Sequence, residues 1–382
     1  MKIAIIQNVT INDHRAIYND GIARRLVKKG HNVDLILQET KEKKQFDDSP
    51  YNLIEIKGGN YSIFGEITFM YNLFKVLFKS DYDIVHCKNP FSSVLVPILL
   101  KRLKIKNFKI IYDIRGLWVD FGVTARYFSG FLGYFLNKID ISAMNLSDSV
   151  ISISEELKKE LIKRGVKNRI IVTYGDGVDI SLSDTIKSYN IKEKFKIGGK
   201  VVGYLGSISL SRDSDKIIEA FSRLKDGDIF LIMIGPVQKN EKQTLKNMVK
   251  KYELKNKVFF SGFLPHNTAL SYIKSCDVVI SYHEKDLPIY NVAVPIKILE
   301  YLALGKPIVV PDHKMYTNIL THGKDAYITE RNPESFAEGI LKVLNDEDLA
   351  RKLSQNARKT AKKYDFEKIS ERVMEVYGDN FS

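Results

Sequence analysis

Only two cysteines and one tryptophan occur among the 382 residues. Cys87 and Cys276 lie far apart in strand-like surroundings, which argues against a disulfide or a metal pair and leaves buried free thiols. No apolar run approaches the ~20 residues a membrane-spanning helix needs. The opening MKIAIIQ has neither the basic start nor the long apolar centre of a signal peptide, so the chain is expected in the cytoplasm. The turn after the first strand, QNVTINDHR, holds no glycine, which argues against a dinucleotide-dependent dehydrogenase built on G-x-G-x-x-G. Walker motifs and a Gly-x-Ser-x-Gly elbow are missing too, and Cys and His show no zinc spacing, so neither a metal nor a cofactor is expected. DYD at 81–83 and DGD at 226–228 imitate a metal-binding Asp-x-Asp, but each directly precedes a strand, where aspartate commonly closes a turn.

Charge is not scarce. Against 46 Asp and Glu stand 59 Lys and Arg, a net +13, which points to a partner that is acidic somewhere: nucleic acid, anionic lipid or a phosphorylated substrate. Lysine on solvated faces explains the total equally well. The stretches YSIFGEITFMYNLFKVLFK (61–79) and ARYFSGFLGYFLNK (125–138) interleave rings with Lys and Arg. Such helices lie on a membrane surface or turn their rings to a core; both readings stay open.

Short apolar runs alternate with helical spacing: KIAIIQ, NVDLIL, YDIVHC, FKIIYDI and SVISIS, then KVVGYLG, DIFLIMIG, KVFFSGF, CDVVISY and PIVVP. That is the rhythm of parallel sheets covered on both faces. The expected fold class is α/β with two Rossmann-like domains: 1–180, a polar linker 181–199, and 200–364. The last helix, 365–382, could pack back on the first domain.

Ligands of such sheets bind outside the carboxyl ends of the strands. VVGYLGSISLSRDSDKIIEAF reads as strand, glycine-containing loop and helix, with Arg212 on the loop: an anion site, or an ordinary turn with a solvated arginine. FFSGFLP places Gly262 and Phe263 directly after a strand, where a flat base could lie. In VPIKILEYLALGKPIVV, Glu300 stands at the start of a helix that Gly305-Lys306-Pro307 breaks.

In order and spacing, GSISLSR with IIEAF, MIGP, FFSGF and PIKILEYLALGKPIVV resemble the second domain of the GT-B retaining glycosyltransferases of family 4. IVHCKNP, YDIRGLWVD, SISEELKKELIKRGV and YGDGVD resemble its first domain. The resemblance spans nearly the whole chain. It implies two facing domains with a donor cleft between them. Catalytic roles would fall to His86, Arg212 and Glu300, with Glu300 accepting from ribose hydroxyls and Arg212 holding the diphosphate. Gly206, Ser207, Gly262, Phe263 and Lys297 would complete the donor site, and Lys297 would supply a cation, since many members carry arginine where Ser207 stands. The family's first glutamate is replaced by Val292, so the loop with Asn291, Val292 and Ala293 would line the sugar pocket by its backbone. Asp13, His14, Arg15 and Arg115 are the acceptor-side candidates.

The implied function is retaining transfer from a nucleotide-diphosphate sugar, such as a UDP-sugar, to a hydroxyl acceptor, with a lipid-linked or cell-surface glycan precursor favoured. No metal takes part, no nucleic acid binds, and an anionic membrane surface, on the inner face of the cell membrane, is among the partners. A nucleotide-sugar epimerase, an idle sugar-nucleotide binding protein and a basic nucleic-acid-binding protein remain alternatives.

Overall fold

A strand that is buried along nearly its whole length must be covered on both faces, and the strands at the centre of each sheet meet that condition: Lys2–Thr10 is buried at seven successive positions and Ile84–Lys88 at all five. The computed structural model describes residues 1–41, 49–59 and 62–378. They form two units, one of 1–177, 292–294 and the C-terminal segment from Phe366, the other of 178–291 and 295–365.

The first unit carries seven parallel strands: β1 (Lys2–Thr10), β2 (Asn32–Gln38), β3 (Asn52–Ile56), β4 (Ile84–Lys88), β5 (Lys109–Ile114), β6 (Ser149–Ser152) and β7 (Ile170–Val172). Their order is β3-β2-β1-β4-β5-β6-β7. The second unit has β8 (Lys200–Leu205), β9 (Ile229–Ile234), β10 (Val258–Phe260), β11 (Val278–Ile280), β12 (Ile308–Pro311) and β13 (Tyr327–Thr329), in the order β10-β9-β8-β11-β12-β13. Each sheet reverses direction once, between β1 and β4 and between β8 and β11. Doubly wound sheets bind their ligands outside the carboxyl ends of such pairs.

The final helix, Phe366–Gly378, belongs to the first unit. Its Phe366, Ile369, Val373 and Val376 recur on one face and are buried, each worth about 1.5–3 kcal/mol. Gly21 explains how it fits. This glycine sits within the helix His14–Lys28, where it costs about 1 kcal/mol relative to alanine, and a Cβ there would lie 2.5 Å from the Phe366 ring. The close approach of two helices decides the residue.

Residues 181–199 are not a linker. They form helices Ile180–Thr185 and Ile191–Phe195 in the second unit, capped by Asp179 and Asn190, with Ile186, Ile191 and Ile197 buried. Lys274 Nζ donates to the carbonyls of Ser183 and Ile186 at 3.2 and 2.6 Å, which ties the segment down. Both cysteines are buried free thiols. Asp83, just before β4, bridges to the start of the neighbouring β1, its carboxylate accepting from the Lys2 N–H at 2.6 Å.

Candidate functional site

In the second unit the loop after β8 begins at Gly206, whose φ of +134° favours glycine. Its neighbour Gly235, at the end of β9, has no room for a side chain either: a Cβ there would strike the Gly206 carbonyl. The two glycines let the strand ends close up, and the Gly206 backbone faces a cation, because a Cβ on Gly206 would be 3.0 Å from Lys297 Nζ. That ammonium lies 4.2 Å over the Tyr204 ring and donates to the Tyr204 hydroxyl at 3.2 Å. Burial first, and the Arg212 guanidinium next, push Lys297 down to about 7. Among the described residues neither Arg212 nor Lys297 is in an ion pair with a carboxylate, so the cation facing the glycine turn, with Arg212 near enough to depress it, lacks a carboxylate in contact.

The loop past Arg212 is held from the other side of the reversal point. Asp213, left-handed at φ +53°, opens the helix Ser214–Ser222 and accepts from His283 Nδ1 and the Glu284 N–H, both at 3.1 Å. Burial pushes His283 down to about 4, so its neutral ring donates through Nδ1. The segments after β8 and β11 are thereby pinned together.

Glu300 is the fifth residue of the helix Ile296–Ala303 rather than its first, one turn beyond Lys297, and is buried. Its Oε1 is 2.6 Å from His266 Nε2, at the start of the helix His266–Lys274. Burial works against a charged His266, but the Glu300 carboxylate outweighs it and raises the imidazole above its ordinary value. A carboxylate fixed in this way retains acceptor capacity for hydroxyl groups. Gly262, left-handed at φ +72°, follows β10, and Phe263 stands 76% exposed beside it. Ser207 is exposed, and its carbonyl accepts from the Tyr204 hydroxyl. Asn291 closes the helix Pro288–Asn291 and donates to Asp286 at 2.7 Å; Val292 is buried and Ala293 half-buried.

In the first unit a buried polar network lies at the end of β4. His86 is wholly buried, with Nδ1 2.7 Å from the Tyr377 hydroxyl and Nε2 3.0 Å from Asp113 Oδ2. Burial lowers the His86 pKa, so the ring is neutral. Although burial favours the neutral acid at Asp113, Arg115 and His86 outweigh it and hold that carboxyl below the usual range. Asp113 therefore accepts from Nε2–H, and Nδ1 accepts from Tyr377. Arg115 pairs with Asp113 as well and donates to the Gly175 carbonyl at 2.9 Å. Lys88 is buried nearby and pushed down to about 8, by burial and then by Arg115. In this arrangement His86 meets no solvent and positions Asp113 and Arg115, where the sequence reading placed it beneath a sugar. Tyr377→Phe leaves Nδ1 without a donor; we expect a loss of about 1–3 kcal/mol in a denaturant melt.

The acceptor-side candidates separate. Asp13 caps the first helix by accepting from the Arg15 N–H and holds the Arg15 guanidinium at 2.9 and 2.7 Å, while Arg115 belongs to the His86 network. The His14 side chain lies outside the described residues. Sequence reasoning missed Tyr204, His266, His283 and Tyr377. Only His266, directly after the Gly262 turn, carried a local signal that could have been read. Among the described residues no group of three or more His, Cys, Asp or Glu could hold a metal ion.

Residues 16–182 match the sequence model of Glycosyltransferase Family 4 and residues 186–360 that of Glycosyl transferases group 1. The chain is 24% identical to the capsular polysaccharide biosynthesis glycosyltransferase CapM of Staphylococcus aureus, over 92% of this chain and 91% of the relative. It is 22% identical to the N,N'-diacetylbacillosaminyl-diphospho-undecaprenol alpha-1,3-N-acetylgalactosaminyltransferase of Campylobacter jejuni, over 80% and 79%. Among solved structures, Anabaena HepE in complex with UDP-glucose superposes with a TM-score of 0.76 at 16% identity, over 99% of this chain and all of that one.

Proposed function

Because this chain belongs to the family 4 glycosyltransferases of the GT-B fold, its two halves each matching a model of that group, we infer that it transfers a sugar, with retained configuration, from a nucleoside-diphosphate sugar to a hydroxyl of a lipid-linked or cell-surface glycan precursor. One observation carries the reading: Lys297 faces the Gly206 turn with Arg212 close enough to lower its pKa, and the buried Glu300 stands one helical turn further on.

The diphosphate fits the two cations and the Gly206 backbone, and the ribose hydroxyls donate to the carboxylate that His266 orients. Arg212 and Lys297 take up the charge that develops as the bond from the anomeric carbon to phosphate oxygen breaks and the diphosphate leaves with the electron pair. The acceptor oxygen bonds to that carbon on the same face, and its proton passes to the departing phosphate. Charge neutralisation is thus assigned to side chains rather than to a metal. The HepE complex with UDP-glucose supports uridine as the base, and the undecaprenol-linked substrate named for the Campylobacter relative supports a lipid-linked acceptor. Such an acceptor would be met at a membrane; no helix among the described residues is long and apolar enough to cross one. The assay is transfer from UDP-sugars to undecaprenyl-diphosphate-linked sugars, with the anomeric configuration of the product read by NMR. An inverted product would overturn the retaining assignment.

Lys297 gives the reading a pH signature. With its pKa lowered to about 7, the side chain loses charge as pH rises through that value. A bound diphosphate favours the ammonium and raises the pKa again, so binding takes up a proton between about pH 7 and the pKa of the complex. Calorimetry in buffers of different ionisation enthalpy should show UDP affinity falling above about pH 7 with proton uptake approaching one. In Lys297→Arg, whose charge is permanent, that uptake should vanish.

A further inference from the structure

The helix Ile63–Lys79 is apolar on two sides. Phe69, Leu73 and Leu77 are buried, whereas Phe64, Ile67, Tyr71 and Phe78 follow helical spacing on the outer side and are 51–83% exposed. The helix Gly130–Leu146 repeats the arrangement, with Gly133, Ala143 and Met144 inward and Phe131, Tyr134 and Phe135 outward, Phe131 being 77% exposed. Between them the helix Leu95–Arg102 touches both and adds Leu99 at its outer side and Leu103 just beyond its end. Topology places all three in one layer. The sheet runs one way from β1 to β3 and the other way from β3 through β4 to β6, so right-handed crossovers put these helices on the face opposite His14–Lys28 and its partner Phe366–Gly378. An exposed apolar surface of this extent marks an interaction site.

Charge identifies the occupant. Across 62–79, 95–107 and 124–146 the only acidic residues are Glu66 and Asp140, and both are buried: Glu66 accepts from Asn8 at 2.8 Å and Asp140 from the Tyr112 hydroxyl at 2.5 Å. The outer side keeps Lys75, Lys79, Arg102, Lys104 and Lys138. Two of these ammonium groups fold over neighbouring rings, Lys75 on Tyr71 at 4.0 Å and Lys138 on Tyr134 at 4.5 Å. Exposed acids enter only at the edge, where Asp81 and Asp148 pair with Lys106 and Lys101, and a face with apolar rings and an excess of bases would oppose like charges against a second copy of itself. It complements anionic headgroups over a hydrocarbon layer. We propose that this three-helix face of the first unit docks on a bilayer bearing anionic lipid, Phe64 and Phe131 entering the interface and the lysines contacting headgroups. It rests on the transferase reading in that a lipid-linked acceptor is what such docking would deliver.

The test is flotation of the full chain with vesicles of phosphatidylcholine alone, or mixed equally with phosphatidylglycerol, at low and high salt. Wild type should bind the mixed vesicles at least about tenfold more tightly, with high salt weakening binding. Phe64→Glu with Phe131→Glu, and separately Lys75→Glu with Lys138→Glu, should each lose at least about tenfold, with unchanged melting temperature and unchanged thermal shift by UDP. Wild type that ignores the mixed vesicles at low salt overturns the proposal, as does binding that both double variants retain. A dimer in light scattering that Phe131→Glu breaks would assign the face to a second copy and also overturn it. If UDP raises the melting temperature while vesicles go unbound, docking falls and the transferase reading stands; vesicle binding with no response to any nucleotide diphosphate does the reverse.

Discussion

Glu300→Ala is expected to weaken binding of the donor nucleotide by at least about a hundredfold, which corresponds to the loss of a charged acceptor shared by two ribose hydroxyls at about 1.5 kcal/mol each. The effect does not require the fold to fail. The residue sits within the eight-residue helix Ile296–Ala303, where alanine is a better helix former than glutamate, and the group left behind is His266, whose ring retains 23% exposure and can turn to water. The nucleotide-dependent rise in melting temperature should therefore vanish while the unliganded protein still melts cooperatively. Glu300→Gln should keep part of the binding, because the amide oxygen still accepts, but His266 would lose the charge that raises its pKa.

The second large effect is expected at Arg212, and it should appear in a different constant. Its charge matters most when negative charge builds up on the leaving diphosphate, so Arg212→Ala should lower kcat about 10²–10³-fold, with a smaller change in KM. Lys297 remains to hold the ground-state diphosphate in that variant. Steady-state kinetics with saturating donor measures the split. Arg212→Lys should recover only part of the rate, because an ammonium cannot reproduce a planar fork of donors. A raised KM with kcat unchanged would instead make Arg212 an ordinary ground-state contact.

The parallel strands of both units are visible in the sequence because a buried strand is a short continuous apolar run, and runs such as KIAIIQ and FLIMI admit little else. Glu300 stood out for a related reason, as the one carboxylate in a helix that, apart from Lys297, is apolar. Residues 181–199 misled because their polar composition hid two capped turns, with Ile186, Ile191 and Ile197 too widely spaced to show a period. The partner of His86 was unreadable on principle, since Tyr377 is 291 positions away and meets it only after the last helix has returned to the first sheet. His266 was missed because its local signal, a position shortly after the Gly262 turn, says nothing of Glu300, although a buried carboxylate requires a donor from somewhere. Local chemistry is legible in a chain; the pairing of distant polar groups is a property of the fold.

The central claim is that the glycine turn, Arg212, Lys297 and Glu300 of the second unit form a nucleotide-diphosphate site that works without a metal. The direct measurement is the thermal shift of wild type and Glu300→Ala with UDP, GDP, ADP and dTDP and their sugar conjugates, with and without EDTA. The prediction is a rise for one nucleotide, UDP foremost, that survives EDTA and disappears in Glu300→Ala. No rise for wild type with any nucleotide at millimolar concentration, or a rise that Glu300→Ala keeps in full, would contradict it.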